Sequence, residues 1–115
     1  MTDADALRKA AQIVREKGLA RGVGWDDEGR VCLHAAIIEA LGGNRHSSPG
    51  NRGIKLLCVV DRTVRTLGLP CSERPDGHGK RGYPSVQWSN DWAKDADEVA
   101  HILKLAAEDA ELQGV

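Results

Sequence analysis

Cys32, His101, Asn90 and Asp91 are the residues through which this sequence could do chemistry. Cys32 stands near the start of an apolar segment, VCLHAAIIEAL, where a helix start would lower a thiol pKa. A cysteine nucleophile needs a histidine base, itself oriented by Asn or Asp. His101 is the candidate base and Asn90 or Asp91 the candidate orienter. His34 is only two residues from Cys32, so on a helix it points to a different side. His78 is a further histidine in a Gly-rich stretch. No convincing strand carries a histidine, as thiol enzymes usually require. The simpler reading makes Cys32 a small buried hydrophobe.

Other chemistries have less support. Cys58, Cys71, His46 and His78 could supply four zinc ligands, but none shows the short spacing that builds half a site locally. We therefore expect no metal and no cofactor. GHGKRG at residues 77–82 follows no strand and opens no helix, as a phosphate loop must. Residues 43–84 carry eight Lys/Arg against Asp61, Glu73 and Asp76, a balance of +5. Residues 85–115 carry Lys94 and Lys104 against seven acids, a balance of −5. These two regions can face each other or lie solvated. The alternative is a nucleic-acid surface built from Arg62, Arg65, Arg74, Lys80 and Arg81. The gap between the second and third helices is too long for a helix-turn-helix, and no aromatic platform lies among these cations. Binding to another protein leads by elimination, with Trp92 as an aromatic anchor and Glu108 and Glu111 as a charged rim.

Four helices can position these groups. Residues 3–17 form the first, capped by Thr2, with Asp3 and Asp5 at its positive end and Gly18 as its stop. Residues 31–41 form the second, apolar nearly all round and hence central. Residues 43–53 read as a loop. Residues 54–67 give the third, with Leu57, Val60, Val64 and Leu67 on one stripe. The last runs from Asp95 to Leu112, with Asp95 and Glu98 in a capping pattern. Residues 69–85 are Gly/Pro-rich and basic, the expected flexible loop.

The stretch VQWSNDWAKDADEV joins that loop to the last helix. There are three tryptophans, one tyrosine and no phenylalanine in 115 residues, and two tryptophans lie here. Pro84 biases Tyr83 away from helix, so we expect an extended arm through Trp88. Trp88 enters the core, while Asn90 and Asp91 hold a turn. The functional alternative has Asn90 and Asp91 lining a pocket floored by Trp88. Trp25, ahead of the Asp-Glu-Gly turn, lies on a second short arm. The fold expected is mainly α: a compact four-helix domain spanning residues 1–115, with a short two-stranded extended element near Trp25 and Trp88. The rings at 25 and 88 should lodge beside the second helix and fix the last one.

Trp25, Gly29, Cys32, Ala35, Ala36, Trp88, Asn90 and Asp91 together resemble the pattern of a family of small uncharacterised actinobacterial and actinobacteriophage proteins. Ser89 interrupts the Trp-Asn-Asp triplet of that pattern, and the resemblance skips residues 43–84. It implies no activity. With an odd, unpaired set of cysteines and a charged N-terminus, we expect a small soluble cytoplasmic protein with no membrane span. Its expected role is that of an accessory or regulatory module.

Overall fold

Thr2 starts the first helix by a reciprocal cap. Its hydroxyl accepts from Asp5 N at 3.1 Å, and the Asp5 carboxylate takes Thr2 N at 3.0 Å. The computed structural model describes residues 1–22, 24–71 and 83–114. Among them five helices follow one another: α1 (Asp3–Lys17), α2 (Leu33–Ala40), α3 (Gly50–Thr66), α4 (Pro84–Asp91) and α5 (Ala96–Leu112). α1 ends at Gly18, whose φ of 89° is one that residues with a Cβ avoid. The Gly18 N–H closes on Val14 O at 2.8 Å. At α5, Asp95 accepts from Glu98 N at 2.9 Å, but Glu98 reaches back to Lys94 N instead of Asp95 N.

α1 packs against α5 and α2, α5 also against α3, and α4 against α3 and α2. Both helices of the α1–α5 pair bury several small residues: Ala4, Ala10 and Ala11 in α1, and Ala106, Ala107 and Ala110 in α5. Small side chains let two helix axes approach closely. Leu7, Val14, Leu33, Ile37, Leu57, Val60, Leu103 and Trp88 fill the centre. The apolar second segment is central, as its composition implied.

Three expectations need correction. There are five helices among the described residues, not four, because residues 84–91 are helical. Pro84 does hold Tyr83 extended, at φ −73° and ψ 134°. Its effect ends there: at the first helical position proline's fixed φ suits a helix and its missing N–H is not needed. Trp88 is therefore a helical residue, and the arm on which it was placed does not exist.

Among the described residues the two-stranded element does not form either. Val31 makes two isolated bridges, a parallel one to Leu19 and an antiparallel one to Trp25, and neither extends into a strand. Val31 is thereby used outside α2, which starts after Cys32.

The third helix begins at Gly50 rather than at 54, so part of the expected 43–53 loop is helical. Gly53 permits this start. A Cβ at that position would meet Pro49 Cβ at 2.7 Å, closer than side-chain carbons come. Of the expected 69–85 loop, residues 72–82 lie outside the described residues, while Pro84 and Ser85 belong to α4. No helix among the described residues is long and apolar enough to cross a membrane.

Candidate functional site

α4 is only eight residues long and makes no side-chain cap of its own at its start. A helix so short is unstable alone and must be held by its surroundings. Asp61 of α3 does this at the first turn. Its Oδ1 accepts from Ser85 N at 2.9 Å and from Ser85 Oγ at 2.6 Å, and both residues are buried. The carboxylate faces the positive end of the helix and satisfies an N–H that has no partner within it.

At the other end, Trp92 N and Ala93 N both close on Trp88 O, at 2.8 and 2.9 Å. The next carbonyls are taken by Arg21, from the segment after α1. Its Nη1 donates to Asn90 O at 3.4 Å, and its Nη2 to Ala93 O at 2.5 Å and Lys94 O at 3.2 Å.

The same segment ties down α2. Gly24 O accepts from Cys32 N at 2.9 Å, and Trp25 Nε1 donates to Glu39 Oε2 at 2.8 Å. Glu39 Oε1 in turn meets Lys17 Nζ at 2.5 Å. The Asp-Glu-Gly turn closes on Asp26, whose Oδ1 accepts from Glu28 N and Arg30 N. Residues 18–32 thus bridge the end of α1, the start of α2 and the end of α4.

The three tryptophans have different fates. Trp88 is 1% exposed, Trp25 is half-buried and spends its indole N–H on Glu39, and Trp92 is 55% exposed. α4, which carries Trp88, packs on α3 and α2, while α5 is held chiefly by α1 and α3. The last helix thus packs chiefly on α1 and α3, and Trp88 lies in the same core cluster as its Val99, Ile102 and Leu103.

A family model, described as a family of unknown function, DUF6197, matches residues 1–109. The chain belongs to this family. The bounds of the DUF6197 match enclose residues 43–84, which the resemblance read from the sequence had skipped, and with them Arg21, Asp61 and Trp92. No curated protein and no solved structure matches the chain.

In this DUF6197 chain Cys32 is 3% exposed and caps α2, its Sγ accepting from Ala35 N at 3.3 Å. Burial pushes its thiol up from the usual range; the neighbouring backbone N–H groups pull it down, but by less. The thiolate character expected from a helix start is thus reversed by desolvation. His101 is exposed on α5. The sulfur of Cys32 is enclosed in the core, while the imidazole of His101 lies on the surface. Asn90 is half-buried and Asp91 exposed. Among the described residues four buried side-chain atoms have no hydrogen-bond partner: His34 Nε2, Ser89 Oγ, Asn90 Oδ1 and Asp3 Oδ2, the last facing Lys55 in an ion pair. Burial also lowers the His34 pKa.

Two of the charged candidates, Arg62 and Glu111, are engaged in internal pairs. Arg62 gives Nε and Nη2 to Asp109 Oδ2, at 2.9 and 2.7 Å. Arg52 and Lys55 face Asp3 at 3.6 and 3.1 Å. Cations of the basic middle therefore meet acids of α1 and α5. Arg65 is exposed on α3; Arg74, His78, Lys80 and Arg81 lie outside the described residues.

Glu111 pairs with Arg8, and Glu108 is exposed. Glu108 lies twelve residues beyond Ala96 on α5, about 18 Å along the axis. Trp92 precedes the other end of that helix. Cys58 is exposed, Cys71 half-buried and His46 exposed. Among the described residues no three His, Cys, Asp or Glu side chains gather to hold a metal ion. A cleft of about 410 Å³ between α1 and α5 is lined by Arg8, Gln12, Arg15, Glu16 and Lys104 and holds none of the candidates.

Asp61 and Arg21 escaped the sequence reading. Asp61 had a signal: a carboxylate on the buried stripe of α3, between Leu57 and Val64. Arg21 had none, since its partners lie 69–73 residues away.

Proposed function

We propose that this chain is a non-enzymatic accessory or regulatory module that acts by binding another protein, with Trp92 as its anchor. One observation carries this reading. Two of the three tryptophans are absorbed by the fold, and the third is 55% exposed and outside the core cluster of the described residues. Exposed indoles set on ordered backbone are frequent hot spots, because they bury a large rigid surface at little entropic cost. The matching partner offers an apolar pocket of indole size.

The sealed Cys32 thiol supports a role without thiol catalysis. The internal pairing of Arg62 leaves less free positive charge for a nucleic-acid backbone. We place the role in the cytoplasm, supported by three unpaired cysteines. The resemblance to small actinobacterial and actinobacteriophage proteins supports an accessory protein of such a genome.

The test is paired affinity capture with the native chain and Trp92→Ala, both shown to be folded by circular dichroism. A protein retained by the native chain should be lost, or bound at least tenfold more weakly, by Trp92→Ala. That is about 1.4 kcal/mol or more at the contact. Equal retention by both chains overturns the reading.

A further inference from the structure

α4 ends without the usual devices. No basic residue stands in its last turn, and its C-cap is Trp92 at φ −126°, not a left-handed glycine. The carbonyls at this end are instead gathered by Arg21. Asn90 O, Ala93 O and Lys94 O lie on both sides of Trp92 in the chain, and one guanidinium holds all three. A planar fork with several N–H donors can span such a set, whereas a lysine ammonium offers a single point.

We infer that Arg21 is a positioning residue for Trp92, fixing the turn from which the exposed indole projects. This rests on the reading of Trp92 as the contact residue. A surface group held ready in its binding geometry loses less freedom on association. The segment 18–32 therefore contributes to the surface without supplying a contact of its own.

The experiment uses the full chain labelled with 5-fluorotryptophan, whose three fluorine signals are assigned by Trp25→Phe, Trp88→Phe and Trp92→Phe. In Arg21→Ala the transverse relaxation of the Trp92 signal should slow at least twofold, with Trp25 and Trp88 unchanged. Arg21→Lys, which keeps the charge but not the fork, should loosen Trp92 in the same way. It also carries the test if Arg21→Ala fails to fold.

Unchanged Trp92 relaxation in a folded Arg21 variant overturns the inference. So does equal loosening of all three signals, which would mark Arg21 as a general stabiliser. Arg21→Ala should also weaken the captured partner about tenfold. If Trp92→Ala keeps its partner while Arg21→Ala still frees the indole, the partner role fails and the positioning role stands.

Discussion

At its first turn α4 is held by Asp61, a carboxylate 5% exposed and set in α3. At its last turn and just beyond it Arg21, an exposed residue from the segment after α1, takes the carbonyls of Asn90, Ala93 and Lys94. Both are caps supplied from elsewhere in the chain, and both satisfy backbone groups the helix leaves open. The difference lies in the medium. Around Asp61 water cannot replace a lost partner, so its removal leaves donors stranded. Around Arg21 water can take over the carbonyls at modest cost. One end of α4 therefore serves stability, and the other serves the placement of a surface residue.

The sharpest contrast uses the two rings that flank these caps. Trp88→Ala should destabilise by about 3–5 kcal/mol, enough to unfold much of the population, as read by urea denaturation. Trp92→Ala should stay within about 0.5 kcal/mol of the native chain in the same assay. Similar losses at both positions would erase the distinction between core and surface.

Next come the caps themselves. Asp61→Ala should cost roughly 2–4 kcal/mol, because Ser85 N and Oγ lose their shared acceptor in a buried setting. Asp61→Asn, which keeps an acceptor, should cost less, about 1–2 kcal/mol. Arg21→Ala should cost about 1 kcal/mol, because two of its three bonds are exposed and the third, to Ala93 O, is only part-buried. An Arg21 loss as large as that of Asp61 breaks the comparison.

A smaller effect concerns His34. Burial lowers its pKa in the folded state, so its neutral form is favoured there. Its contribution is fully present above the unfolded value of about 6.5 and is lost as pH falls through the depressed folded value. The slope cannot exceed about 1.4 kcal/mol per pH unit for one proton. His34→Gln should flatten the stability profile below pH 6.5, as followed by thermal melts.

The caps also show what was legible. Thr2, Gly18 and Asp95 act on residues within four positions of themselves, and all three could be read from the chain. The apolar character of residues 31–41 likewise announced a central helix. α4 was missed because its stability is not local: Pro84 sets the entry, but Asp61 and Arg21 close the ends from 24 and about 70 residues away. For the same reason Trp88 was placed in the core correctly but on the wrong kind of backbone. Trp92 stood out by its residue type and is exposed in the fold, whereas the placement of Glu108 and Glu111 toward the far end of α5 followed only from the length of that helix. Cys32 was placed correctly at a helix start, yet the depth of that start decides its proton affinity, and depth is a property of packing.

The three thiols form a graded series: Cys58 in solvent, Cys71 half covered and Cys32 enclosed. A sulfhydryl dye should react with them in that order. The lag before Cys32 modification would time how often the interior breathes, with no engineered probe required.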